Sequence, residues 1–170
     1  MAEAFNTKSL PGAKAARYAE VAAEIAAVLE GETNTTARLA TVAAMLAQSF
    51  ETFFWTGFYL VDPARSDELV VGPYQGTLGC LRIAFGQGVC GAAAASRRTV
   101  IVPDVEAFPG HIACDGRSRS EIVVPVTSAG GRLLGVLDID STELDAFDET
   151  DAHWLETILA QAFGAATTLP

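Results

Sequence analysis

Glu121-Ile122-Val123-Val124-Pro125-Val126 and Leu133-Leu134-Gly135-Val136-Leu137-Asp138-Ile139-Asp140 are two apolar runs separated by a short stretch that contains Gly130-Gly131. Runs of this length between turn residues read as strands, and the short connection pairs them antiparallel. Asp138 and Asp140 stand two apart on the second strand and share one face, while Leu137 and Ile139 point the other way, into a core. Glu121 opens the first strand, and a hairpin would bring it near the two aspartates. Pro125 has no N–H for a ladder, which predicts an edge or bulge position.

The same grammar extends outward from this pair. Residues 53–61 are aromatic and β-branched, as strands prefer. Asp62-Pro63 breaks the run, residues 69–74 resume it, and residues 80–84 and 99–102 add two short extended pieces. Residues 13–30 instead place Tyr18, Val21, Ala22, Ile25, Val28 and Leu29 at helical spacing, with Gly31 as a stop. Asn34 caps a second helix carrying Leu39, Val42, Leu46 and Phe50. Asp148 caps a last one carrying Trp154, Leu155, Ile158, Leu159 and Phe163. Strands joined by short connections, with helices before and after them, predict an α+β domain with helices packed on an antiparallel sheet.

Gly86-Gln87-Gly88-Val89-Cys90-Gly91 runs into a short helix over residues 92–96. Its third glycine falls one place early for a dinucleotide loop, and no long helix with a following acid is present, so the nucleotide reading is set aside. Residues 105–119 form a long loop with Pro109-Gly110, a histidine and a cysteine. Structureless loops of this length in a compact domain are usually functional or disordered.

With 170 residues, half of them hydrophobic, the chain fits one domain spanning residues 1–170, with a core over roughly 15–165. A formal net charge of −10 argues against nucleic acid or an anionic membrane as partner. Met-Ala-Glu-Ala-Phe-Asn-Thr-Lys has no basic start followed by an apolar run, so no export signal is expected. No stretch is apolar enough to span a bilayer, and a cytoplasmic location follows as the expectation. There thiols stay reduced.

Three cysteines, Cys80, Cys90 and Cys114, make neither a secreted disulfide framework nor a Cys-x-x-Cys pair. A cysteine taken blind is most often a small buried hydrophobe. Cys114 departs from that pattern because it lies in the long loop beside His111, Asp115, Arg117 and Arg119. The cations there favour a thiolate, while Asp115 opposes it. Gly79 and Gly91 let the backbone at Cys80 and Cys90 come close to another segment, so either could form a disulfide with Cys114. His111, Cys114 and one further cysteine could instead bind zinc, but structural zinc sites show two close ligand pairs and only one is present. Trp55 and Tyr59 share a strand face, with Gly57 between them leaving a gap that a ligand could fill.

Taken together, these segments resemble one family. Phe54-Trp55-Thr56-Gly57-Phe58-Tyr59, Gly79-Cys80, Phe85-Gly86-Gln87-Gly88-Val89-Cys90-Gly91, Pro103-Asp104-Val105 and Phe108-Pro109-Gly110-His111-Ile112-Ala113-Cys114-Asp115 carry the likeness in order. Ser118-Arg119-Ser120-Glu121-Ile122-Val123-Val124-Pro125-Val126 and Gly135-Val136-Leu137-Asp138-Ile139-Asp140-Ser141 complete it. The chain resembles the free methionine-(R)-sulfoxide reductases, which are GAF domains.

That resemblance implies a six-stranded antiparallel sheet flanked by helices, a ligand pocket on one face, and a homodimer. It makes Cys114 the catalytic cysteine and Cys80 the main resolving one, with Cys90 a third family cysteine of less uniform role. Trp55 and Tyr59 match pocket-wall residues, and Glu121, Asp138 and Asp140 match acids around the sulfoxide and ammonium. Apart from the resemblance, backbone N–H groups around Ile112, Ala113 and Cys114 could bind the substrate carboxylate or steady the oxyanion. Reduction of a sulfoxide needs a thiolate and an acid in one pocket. The implied cycle runs through a sulfenic acid on Cys114 and a disulfide that thioredoxin or another dithiol reopens. It uses no metal or organic cofactor. The competing expectation is a non-catalytic GAF sensor of a small molecule or of oxidants.

Overall fold

The computed structural model describes residues 12–165. The expectation that residues 1–8 form no export signal, and the outer limits of a domain drawn over 1–170, lie outside the described residues. The elements in chain order are α1 (Ala13–Val28), α2 (Thr35–Ser49), β1 (Trp55–Asp62), β2 (Arg65–Gln75), β3 (Arg82–Ala84), α3 (Gly88–Ser96), β4 (Val100–Val102), a 3₁₀ turn (Val105–Ala107), β5 (Ser120–Thr127), β6 (Leu133–Ser141) and α4 (Glu149–Phe163). The strands form one six-stranded antiparallel sheet in the order β3-β2-β1-β6-β5-β4.

Period-two alternation divides this sheet between two cores. Phe58, Leu60, Ile122, Val124, Leu137 and Ile139 face α1, α2 and α4, which contribute Tyr18, Leu39, Leu155 and Ile158 to the larger cluster. Each such side chain, fully buried, stabilises the fold by about 1.5–3 kcal/mol. Trp55, Tyr59, Val123 and Val136 face the other side, where α3 packs through Val89, Cys90, Ala93 and Ala94. The site lies on this second face.

The helix ends follow their side chains. The Asn34 side chain accepts from Ala37 N at 2.9 Å, as expected of a cap. Asp148 accepts from Thr150 N and Asp151 N, and Asp151 returns the bond to Asp148 N, closing a capping box. Tyr18 Oη of α1 donates to the buried Asp151 Oδ1 at 2.7 Å, which ties the first helix to the last.

Several boundaries differ from the sequence reading. β2 starts at Arg65, not residue 69, because Pro63-Ala64 makes a tight turn in which Asp62 Oδ1 accepts from Ala64 N. The added residues are exposed and polar, so apolar patterning did not mark them. β3 is shorter than expected and leaves Cys80 in the loop before it. The helix after the glycine segment begins at Gly88, inside that segment. β5 is an interior strand, but Pro125 itself sits at a local edge, in keeping with the edge or bulge position expected of it. The proline is tolerated because the β4 ladder ends at Val100–Val123 and leaves Pro125 without a neighbour on that flank.

Candidate active site

Three central strands set the floor of the site through their register. Asp140 lies opposite Trp55 on one side and Glu121 on the other, and Asp138 lies opposite Gly57 and Val123. All three carboxyls therefore emerge on the face that carries the indole and the Tyr59 phenol. They line one cavity together with Cys90 of α3 and with His111, Ile112, Cys114 and Asp115 of the long loop.

That loop is pinned at its base by Val105 N donating to Arg119 O at 2.9 Å. Ile112 lies over Gly88 at the start of α3, where a Cβ on the glycine would come within 3.2 Å of it. Opposite runs the β2–β3 connection, held by Trp55 Nε1 donating to Thr77 O at 2.8 Å. A Cβ at Gly79 would touch Trp55 and the Tyr59 hydroxyl at 3.0 Å, so only a residue without a side chain lets the connection lie this close. The two loops meet in a disulfide between Cys80 and Cys114, with Cα atoms 5.4 Å apart. Cys114 is exposed and Cys80 half-buried, so the bond lies at the mouth of the cavity.

The cavity's electrostatics follow from burial. Glu121 and Asp138 are almost wholly removed from solvent. Burial, followed by their mutual repulsion, pushes the carboxyls of Glu121, Asp138 and Asp140 well above the ordinary carboxylate range. Glu121 and Asp138 hydrogen-bond to each other, so a proton there belongs to the pair rather than to one residue. Ser118 donates to Asp140, and His111 Nε2 stands 3.5 Å from Glu121 Oε2. Asp138 Oδ1 is buried without a hydrogen-bond partner among the described residues, an acceptor facing the cavity. The Cys90 thiol is also pushed up by burial and by the nearby acids, so it stays protonated. The Asp115 carboxyl is held far below its usual range, first by the Arg117 side chain and then by the Thr77 hydroxyl.

Such a site joins a disulfide at the mouth to buried acids on the floor whose pKa values are raised. A family model described as GAF domain matches residues 32–165. The free methionine-R-sulfoxide reductase of Escherichia coli (strain K12) is 42% identical, over 85% of this chain and 85% of its own. The X-ray structure of the free methionine-R-sulfoxide reductase from Neisseria meningitidis, in complex with its substrate, superposes with a TM-score of 0.83 at 55% identity. It covers 88% of this chain and 87% of that one. The chain belongs to the free methionine-(R)-sulfoxide reductase family of GAF domains. GAF domain-containing protein A of Dictyostelium discoideum is also similar, at 50% identity over 87% of this chain and 91% of its own.

For this family member, the fold gathers most of the residues singled out in the sequence. Trp55, Tyr59, Cys90, Ile112, Cys114, Glu121, Asp138 and Asp140 all line the cavity, and Cys80 joins it through the disulfide. Ala113 is exposed on the loop and outside the wall. The gap expected over Gly57 is filled, because a Cβ there would meet Tyr74 Cβ at 2.2 Å and the indole at 2.8 Å. Trp55 stacks between Tyr59 and Tyr74, with centroids 5.8 and 5.1 Å away, so the glycine makes room for protein rather than ligand. The disulfide also consumes two of the thiols on which a His111–Cys114 zinc site would draw. Cys90, Glu121 and Asp138 place one ligand atom each within 4.8 Å of one another, but burial pushes all three toward their uncharged forms, which are poor metal ligands.

Sequence reasoning considered His111 only beside Cys114 and as a possible zinc ligand, and left out Ser118, although both line the cavity from the long loop. A titratable or hydroxyl side chain flanking the reactive cysteine was the available signal. It also left out Thr77, which no local pattern marks.

Proposed function

We propose that the chain reduces free L-methionine-(R)-S-oxide to methionine, with Cys114 as nucleophile. The observation that carries this reading is the Cys80–Cys114 disulfide at the mouth of a cavity floored by three buried carboxyls that burial pushes toward their protonated forms. In the reduced chain the Cys114 thiolate attacks the sulfoxide sulfur. An acid of the Glu121–Asp138–Asp140 set protonates the oxygen, which is otherwise a poor leaving group. The protonated oxygen then passes from the substrate sulfur to the Cys114 sulfur as the transient S–S bond between them breaks, so methionine leaves and Cys114 is left as a sulfenic acid. The Cys80 thiolate then displaces that oxygen, which departs as water, and the disulfide forms. An external dithiol, thioredoxin by analogy, supplies the two electrons that restore both thiols.

The substrate's ammonium fits whichever acid of the set stays ionised, and backbone N–H groups near Ile112 fit its carboxylate. Both recognitions need a free amino acid, so a peptide-bound sulfoxide is excluded on this reading. Cys90, wholly buried and protonated, supports the acids rather than attacking. The reaction calls for no metal or organic cofactor. A homodimer in the cytoplasm is the proposed setting. No helix among the described residues is long and apolar enough to cross a membrane.

The test is an assay of purified protein with both free epimers and with a sulfoxide-containing peptide, using dithiothreitol and then thioredoxin as reductant. Turnover of the free R epimer alone is expected. Equal turnover of the peptide, or none of any substrate, overturns the reading.

A further inference from the structure

Four side chains outside the reaction, together with the Trp55 indole of the cavity wall, join the two cysteine loops in a closed ring. The Thr77 hydroxyl, three residues before Cys80, donates to Asp115 Oδ2 at 2.7 Å, and Asp115 immediately follows Cys114. Arg117 clamps the same carboxylate, with Nε on Oδ1 at 3.0 Å and Nη2 on Oδ2 at 2.8 Å, while its backbone N–H donates to Oδ1 at 2.9 Å. The guanidinium then lies 4.8 Å over the Phe54 ring. The next residue, Trp55, holds Thr77 O through its indole N–H. Phe54 and Trp55, adjacent at the start of β1, thus anchor both loops, and the Thr77–Asp115 bond closes the ring between them.

We propose that Thr77 and Asp115 are positioning residues for the resolving step: they hold the Cys80 loop on the Cys114 loop so that disulfide formation is fast and the bond, once made, is favoured. The proposal rests on the reading of Cys80 as the resolving cysteine. In that step the Cys80 thiolate attacks the sulfenic sulfur, the S–S bond forms, the S–O bond breaks, and the oxygen leaves as water after taking a proton.

The physical reason is linkage. The hydrogen bond and the disulfide bring together the same two loops, so each raises the local concentration of the other's partners. Such coupling is reciprocal: whatever factor the disulfide adds to the hydrogen bond, the hydrogen bond adds to the disulfide. The bond is charge-assisted, because Arg117 keeps Asp115 ionised. Arg117 is largely exposed, so the main effect is assigned to the half-buried Thr77–Asp115 contact.

Thr77→Val removes the hydroxyl at nearly constant volume and adds no charge beside Cys114. Equilibration against dithiothreitol redox buffers, without any sulfoxide, should show the Cys80–Cys114 bond about tenfold easier to reduce than in the parent chain. After a single turnover, the Cys114 sulfenic acid trapped by dimedone should persist several-fold longer, while the methionine burst keeps its rate. Thr77→Ser should restore both properties. An unchanged redox equilibrium in Thr77→Val, or a Thr77→Ser variant that behaves like it, overturns the proposal. The buffer equilibrium needs no turnover, so it reads out even if the chain fails to reduce the sulfoxide.

Discussion

Glu121 and Asp140 stand directly opposite each other across the β5–β6 ladder, with Asp138 two residues further along the same face. Like charges in direct cross-strand register are destabilising. Burial eases the conflict by favouring the protonated forms within the set.

That arrangement fixes the sign of a stability profile. Unfolded carboxylates titrate near pH 4, roughly. The folded carboxyls hold their protons to higher pH, so unfolding releases protons and stability falls as pH rises from about 4 toward the raised folded values. Asp138→Asn should flatten this fall. Calorimetric melting temperatures from pH 5 to 8 check it, and parallel profiles for parent and variant would count against buried protonated acids.

The same protons should govern the rate. Glu121→Gln or Asp140→Asn should lower kcat by about 10²- to 10⁴-fold, the usual worth of general acid catalysis, with little loss of melting temperature. In the parent chain kcat should decline on the alkaline side as the acid set ionises. A variant that melts lower but keeps its kcat would assign these residues to structure alone.

The cysteines should separate by step. Cys114→Ser should abolish methionine formation with dithiothreitol. Cys80→Ser should complete one turnover and then stall with thioredoxin, leaving a trappable sulfenic acid. Cys90→Ala should leave the Cys80–Cys114 bond able to form, because the buried Cys90 thiol takes no part in it. Mass spectrometry of the oxidised variants reads all three outcomes, and a Cys90–Cys114 bond in the parent would move the resolving role.

Away from the site, Tyr18→Phe should destabilise the fold by about 1.5–3 kcal/mol, since it strips a hydrogen bond from the buried Asp151 carboxyl that also caps α4. Urea unfolding measures the loss. A change below roughly 0.5 kcal/mol, the scale of an ordinary surface substitution, would show that the α1–α4 tie carries little.

Element types, the antiparallel sheet and the two faces of β6 were legible in the sequence because apolar periodicity and capping residues act locally. Asn34 and Asp148 cap as expected for that reason. The early start of β2 and the placing of Pro125 on an interior strand, beside the end of β4, were not legible. They depend on turn geometry and on where a neighbouring strand ends, which side-chain pattern does not encode.

The sequence by itself determined which residues carry chemistry: three thiols, three acids on strand faces, and two aromatics four apart on β1. Only the tertiary structure decided which thiol meets which. Cys80 and Cys114 come from loops separated by a helix and two strands, and Trp55 joins Asp140 through the β1–β6 pairing of strands at opposite ends of the sheet's sequence. It likewise decided that Cys90 is packed against acids rather than free to react, and that Tyr74 fills the space over Gly57. The reason is physical: periodicity reports which face a side chain takes, whereas cross-strand register and loop closure set which faces touch.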